Sequence, residues 1–307
     1  MSYCDFLAGW AAGSSGLLVG HPMDTVKVRQ QTLGISSVFK VIKTTYKYEG
    51  FLSFYKGLLF PLLSAGILNS VFFGVYGYSL KNIPRTNEEV PVNSFFTAHG
   101  RYHTLRETFL CGCIGGVAQV FITCPVELVK IKMQTETGEN VKFGKRQQQN
   151  YKSSLECVTE IYKKIGIKGC YKGFYITMLR DVPSSGLYFM VYEKLLSSLT
   201  RGNERERVEF FATVFAGGIA GMVSWGSIVP LDVLKSRIQA DNFKQPTYTG
   251  IYDCFRKSLR SDGWTVFGRG FWVLQLRAFP VNAVCFLTYE GIMCNICNPQ
   301  CIPNTRD

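Results

Sequence analysis

The sequence predicts an all-α integral membrane protein, with six transmembrane helices in three tandem repeats of about a hundred residues and pseudo-three-fold symmetry. Three observations predict it. The pattern Pro-x-(Asp/Glu)-x-x-(Lys/Arg)-x-(Lys/Arg) runs from Pro22 to Arg29, from Pro125 to Lys132 and from Pro230 to Arg237, with prolines 103 and 105 residues apart. Each copy ends a long apolar run. Most of the basic residues fall between the two apolar segments of a repeat. The repeats are placed at residues 1–100, 101–201 and 202–307.

Within each repeat the first helix ends at the octet. No formal charge occurs between Asp5 and Asp24, between Glu107 and Glu127, or between Glu209 and Asp232. Gly57 to Leu80 adds a fourth charge-free run, of 24 residues. Roughly 20 apolar residues span a bilayer as a helix, so these four are transmembrane candidates. Segments opening at Gly173 and Gly270 have the right length but carry internal charges. Counting the six transmembrane helices in chain order, two to a repeat, the odd ones also carry small-residue ladders: Gly9, Gly13, Gly16 and Gly20, then Gly112, Gly115 and Gly116, then Gly217, Gly218 and Gly221. Small residues let membrane helices approach closely, and the recurrence predicts close packing in all three repeats.

The octet places an acid and a base where a hydrophobic helix should finish. Proline frees a carbonyl and kinks the helix, which turns the helix end toward the bundle axis. A lone charge near membrane depth is costly, so acid and base should pair between neighbouring helices. Three-fold order closes a ring of Asp24 with Lys130, Glu127 with Lys235, and Asp232 with Lys27. Gln31, Gln134 and Gln239 each lie nine residues after a proline, and a side chain that donates and accepts can brace such a pair. The even helices open at Gly57, Gly173 and Gly270 beside a basic residue. Free N–H groups and the positive dipole end at a helix start suit a lipid phosphate.

Composition bounds the alternatives. The formal net charge is +12, and 23 of the 34 Lys and Arg fall in residues 23–57, 126–173 and 231–270. That asymmetry assigns a charge-rich side of the membrane. Nucleic-acid binding is not expected, because no aromatic-basic module accompanies the charge. Mean hydropathy is barely positive, which fits helices around a water-filled cavity. The eleven cysteines show no paired spacing for a disulfide framework. Cys294, Cys297 and Cys301 lack a second pair or a histidine, so ordinary thiols are expected there rather than a metal site. Met1 to Asp5 lead straight into the first helix without a basic n-region, so no cleavable signal is expected. No nucleophile–base constellation is present, and neither an enzyme nor a resident cofactor is predicted.

The triplicated octet, with Glu49-Gly50 and Tyr55-Lys56-Gly57 after the first copy, resembles the mitochondrial carrier family (solute carrier family 25) over nearly the whole chain. Two departures stand out: repeat 2 has Ile165-Gly166 where an acid precedes glycine, and repeat 3 has Gly268 at the aromatic position. The resemblance implies a six-helix barrel in the mitochondrial inner membrane, both termini toward the intermembrane space, working as a monomer beside cardiolipin. It also implies alternating access between a matrix-side and a cytoplasmic-side ionic gate. The family's aromatic-acid-x-x-base pattern for the second gate is incomplete. Tyr76-Gly77 is followed by Leu80, Tyr192-Glu193 by Leu196 and Tyr289-Glu290 by Met293, without the base.

Seven residues after the opening glycines come Ser64, Arg180 and Arg277, a level that resembles the family's substrate contact points. Charges placed mid-helix face an aqueous path or a partner. Two guanidinium groups suit a carboxylate, and Asp181 suits an ammonium. Adjacent helix residues point about 100° apart, so mutual pairing of Arg180 with Asp181 is not expected. Asn69, Ser185 and Asn282 lie a turn further on. His21 matches a histidine of carnitine-carrier-like sequences, and Trp225 could offer a cation–π face. The local wording looks like the carnitine- and ornithine-carrier branch, near members 45 and 48. It implies transport of a small cationic or zwitterionic amino-acid-like metabolite: a basic or methylated amino acid, or a carnitine-type or choline-type quaternary ammonium. A nucleotide carrier of the same fold and a non-transporting scaffold are the alternatives. A phosphate site would gain nothing from Asp181, and a scaffold would not need aligned intramembrane charges.

Overall fold

A computed structural model describes residues 3–35, 37–83, 95–96, 102–135, 151, 153–200, 206–243 and 245–292. The tail cysteines Cys294, Cys297 and Cys301, Met293 and the side chain of Glu290 lie outside the described parts. Repeat 1 contains α1 (Tyr3–Thr32), α2 (Val38–Glu49), a 3-10 turn at Phe51–Tyr55 and α3 (Leu59–Asn82). A two-residue antiparallel ladder, β1 (Phe95–Phe96) with β2 (Tyr102–His103), precedes α4 (Leu105–Thr135). Then come α5 (Ser154–Ile165), α6 (Ile167–Cys170) and α7 (Phe174–Thr200). Repeat 3 contains α8 (Glu206–Ser227), α9 (Val229–Ala240), α10 (Ile251–Asp262), a 3-10 turn at Trp264–Gly268 and α11 (Phe271–Ile292).

The long helices close on themselves in the order α1, α3, α4, α7, α8 and α11, with α11 packed back on α1. The proline acts differently in the third repeat from the first two. α1 and α4 run through Pro22 and Pro125, whereas the third long helix breaks at Ile228 and Pro230 lies in the first turn of α9. The two pieces meet at 61°. Proline is tolerated in a first helical turn, where its missing N–H has no partner to lose.

Among the described residues, the segments Phe51–Asn82, Leu105–Thr135 and Trp264–Tyr289 are long and apolar enough to cross a membrane, and the bent α8–α9 pair makes a fourth. The span after Gly270 is therefore more apolar than its internal charge suggested. α1 falls short, carrying Ser14, Ser15 and His21 among its glycines, as does α7, with Arg180 and Asp181. Large side chains such as Leu63, Ile67, Trp272, Leu276 and Phe279 are exposed on the outer faces of α3 and α11. That distribution suits a lipid-facing wall.

Two of the three glycine ladders pack tightly. A Cβ at Gly112 would lie 2.8 Å from Gly186 Cα, and one at Gly16 would overlap Cys285 Sγ. The third ladder corrects the sequence expectation. Gly218 and Gly221 have nothing within 4 Å, and all three of its glycines border a side cavity between α8 and α11. Small residues there leave room rather than draw helices together. The opening glycines need their residue type for two reasons. Gly57, Gly173 and Gly270 have φ of 81°, 83° and 87°, and a Cβ would press on Lys130 O, Gln239 Cγ and Lys27 Cγ respectively at 3.0 Å.

Gly112→Val should destabilise the purified protein by roughly 1–3 kcal/mol through overpacking, read as a lower thermal unfolding midpoint. Gly218→Ala, made in open space, should leave the midpoint unchanged or raise it.

Candidate functional site

The three octets bring acid and base together across neighbouring helices. Lys130 Nζ of α4 lies 2.5 Å from Asp24 Oδ2 of α1, and Lys27 Nζ of α1 lies 2.7 Å from Asp232 Oδ2 of α9. Lys235 Nζ of α9 contacts Glu127 Oε2 of α4. These contacts form a closed ring at one end of the barrel. Lys235 is fully buried and Asp232 nearly so, so no partner can be removed without stranding a charge in low dielectric.

Each ring acid also meets an arginine from an even helix. Arg277 Nη1 of α11 is 3.1 Å from Asp24 Oδ1. Arg180 of α7 reaches two acids, with Nη1 2.8 Å from Asp232 Oδ1 and Nη2 3.0 Å from Glu127 Oε1. Its Nε donates to Asp181 Oδ1 at 2.5 Å. This corrects the expectation that adjacent residues would not pair: the long arginine chain folds across the angle and brings its guanidinium back to the neighbour. Gly20 makes room for Arg277, because a Cβ there would sit 2.7 Å from Nε. At the level of the arginines, repeat 1 supplies Ser64, which is buried and donates to its own helix at Pro61 O, 3.3 Å away.

A cavity of about 300 Å³ opens against this ring. Asn69, Gln119, Trp225, Arg180 and Arg277 help line it. Asn282 borders the neighbouring side cavity with Trp225 and Arg277. Ser185 donates to Asp181 O at 2.9 Å and packs against Gly116. His21 is not brought to the cavity. It is fully buried, its Nε2 donates to Lys56 O at 3.0 Å, and its ring stacks on Tyr55. One turn of α1 separates it from the cavity-lining Leu17.

The glutamines differ from their common expectation. Gln31 Nε2 donates to Asp232 Oδ2 at 2.9 Å and so touches a ring pair. Gln134 Nε2 instead donates to Thr25 Oγ1 at 3.1 Å, and Gln239 Nε2 approaches Lys172 O at 3.5 Å. Equal spacing fixed equal backbone positions, but the nearest acceptor at each is set by the local neighbour.

Sequence reasoning assigned no role to the last base of the octet, which forms a second tier. Arg29 Nε donates to Gln134 O at 2.9 Å, Lys132 Nζ to Ala240 O at 3.2 Å, and Arg237 Nε to Gln31 O at 3.0 Å. Each bond ties one repeat to the next. Arg29 also grips Glu49 with two bonds of 2.7 and 2.9 Å, and Arg237 Nη2 reaches Asp262 at 2.8 Å. The periodic basic position was the available signal.

A family model described as mitochondrial carrier protein matches residues 2–87, 102–203 and 206–298. The chain is 36% identical over 290 residues to solute carrier family 25 member 45 of Homo sapiens, covering 94% of this chain and 97% of that protein. It is 40% identical over 296 residues to the mitochondrial basic amino acids transporter of Homo sapiens, covering 94% and 89%. Solute carrier family 25 member 48 of Bos taurus is 36% identical over 296 residues, with 93% of each chain covered. The chain thus belongs to the mitochondrial carrier family, as a multi-pass inner-membrane transporter of small molecules and not an enzyme.

Proposed function

We propose that this carrier moves a small cationic or zwitterionic amino-acid-like metabolite by alternating access. A basic or methylated amino acid fits best, with carnitine-type and choline-type quaternary ammonium compounds in the same class. The observation that carries the reading is the placement of Arg180 and Arg277 where the cavity meets the ring. A planar guanidinium grips a carboxylate through paired hydrogen bonds, and both arginines already hold carboxylates of the protein there. An arriving substrate carboxylate competes for them. Asp181, beside Arg180, is assigned the cationic end; Asn69 and Trp225 line the cavity, Asn282 borders the adjoining one, and Ser64 stands at the same helical level on α3. A relative named for basic amino acids supports this class.

In this reading, Asp24, Glu127 and Asp232 with Lys27, Lys130 and Lys235 form the matrix gate, braced at Gln31. The termini face the intermembrane space. The carrier works as a monomer without nucleic acid, and cardiolipin phosphates bind at the even-helix starts near Gly57, Gly173 and Gly270.

Uptake into liposomes holding the purified protein tests the substrate class, with L-arginine, L-lysine, trimethyllysine, carnitine, choline and ADP as the panel. Transport of ADP alone would overturn the proposal. Arg277→Ala should cut uptake of the carboxylate-bearing substrates about tenfold or more, the loss expected for one charge-assisted pair, and choline uptake should suffer much less. Equal loss for both kinds would show that Arg277 acts on the gate alone.

The gate assignment has its own test. Asp24→Lys should cripple transport, since stranding a buried charge costs roughly 3–5 kcal/mol. Adding Lys130→Asp should recover part of the activity, limited by the repulsion that Arg277 exerts on the new lysine. A double variant no better than the single, at normal expression, would count against the pairing.

A further inference from the structure

The second tier is not the same in all three repeats, and the difference begins at Ile165. In repeat 1 the carboxylate of Glu49 is clasped by Arg29 and by Lys56, at 2.7 and 2.8 Å. In repeat 3 Asp262 is clasped by Arg237 and Arg269, at 2.8 and 3.3 Å. Both acids are held by bases of their own repeat, although Arg29 and Arg237 each also donate to one carbonyl of the next. Repeat 2 has the corresponding bases, Lys132 and Lys172, but an isoleucine in place of the acid.

Those two lysines turn to the next repeat instead. Lys132 Nζ donates to Asp241 O at 2.6 Å, and Lys172 Nζ donates to Asp241 O at 2.9 Å and to Asn242 O at 3.3 Å. Both sit over the ring of Phe243, at 4.6 and 4.7 Å from its centroid. Phe243 in turn packs against the core of repeat 2, formed by Leu128, Met133, Cys157 and Ile161 among others. The equivalent residue of repeat 1, Ile35, packs within its own repeat. The segment is held in shape by the buried Asp241, whose Oδ2 accepts from Thr247 N at 2.8 Å and Tyr248 N at 3.1 Å.

We infer that Lys132, Lys172 and Phe243 form a cross-repeat latch, peculiar to the boundary between repeats 2 and 3, that holds the ring end of the barrel closed. The latch ties Lys132, near the end of α4, and Lys172, just before α7, to the segment that directly follows α9, beyond the Glu127–Lys235 pair along α4 and α9. Parting those ends to open the gate therefore breaks the latch, whereas it leaves the Glu49 and Asp262 clasps intact. The carrier accordingly favours the closed ring more at this boundary than an acid at position 165 would allow. Restoring the acid would supply Lys132 and Lys172 with a carboxylate inside repeat 2 and draw them off repeat 3.

This rests on the alternating-access reading, and its test needs no substrate. Spin labels are attached at Lys163→Cys on α5 and Arg256→Cys on α10, both exposed, with the native cysteines replaced and the protein in liposomes. Distances between the labels are measured by pulsed electron resonance. Ile165→Glu and Phe243→Ala should each raise the long-distance population roughly threefold, the shift expected from losing one or two cation–π contacts. Glu49→Ile, which removes the clasp inside repeat 1, should leave the distribution as in the parent. Ile165 is surface-exposed, so the glutamate variant is expected to fold even if Phe243→Ala does not. Unchanged distributions in Ile165→Glu would overturn the latch, as would an equal shift in Glu49→Ile. If the distances shift but none of the panel is taken up, the latch stands and the substrate proposal fails.

Discussion

Six charges at one end of the barrel are tolerable only because each lies against an opposite charge from another repeat. Asp24, Glu127 and Asp232 share their oxygens among three lysines and two arginines, in a setting where Lys235 and Arg180 are almost wholly removed from solvent. Low dielectric makes each contact strong and each vacancy expensive. The rest of the helical arrangement is subordinate to that constraint. Opening glycines with φ above zero let the even helices start hard against the odd-helix ends, and Gly20 clears a path for Arg277. The ring is a closed cycle, so a helix end cannot move away without separating a pair on either side of it.

The same constraint connects ring and cavity. Arg180 and Arg277 stand where the cavity floor meets the ring and are held by its acids. A ligand carboxylate that engages them takes cationic partners from acids that then depend on lysine alone. Substrate recognition and gate strength would thus share one set of side chains, and this is how a weakly bound metabolite could bias a conformational equilibrium without a separate signalling element.

Much of this was legible in the sequence because it is written three times. Repetition turned a local motif into a geometry, so the partners Asp24–Lys130, Glu127–Lys235 and Asp232–Lys27 could be named from spacing alone. What repetition cannot convey is where a long or polar side chain goes once its backbone is placed. Arg180 folds onto Asp181 and two ring acids because its chain is long enough to choose. Gln134 and Gln239 find Thr25 and a backbone carbonyl, whereas Gln31 finds an acid. His21 sits one turn from the cavity but faces Lys56. The Gly217, Gly218 and Gly221 ladder borders a cavity whose other walls include Tyr188 and side chains of α11, held off from the glycines. Departures from the repeat, such as Ile165, were visible as letters. Their consequence, a lysine pair redirected across a repeat boundary, depends on tertiary contacts with Phe243 that no spacing encodes.

The central claim, that the ring end must part for transport, is tested most directly by tying it shut beside the ring. Gln31 Oε1 accepts from Ser236 Oγ at 2.9 Å across α1 and α9, so Gln31→Cys with Ser236→Cys places two thiols for a short bifunctional thiol reagent that reductant can cleave. Uptake of a transported substrate into liposomes should fall to background once the link forms and return on reduction, with uptake by the single-cysteine variants insensitive to the reagent. Transport that continues with the link in place would contradict the account.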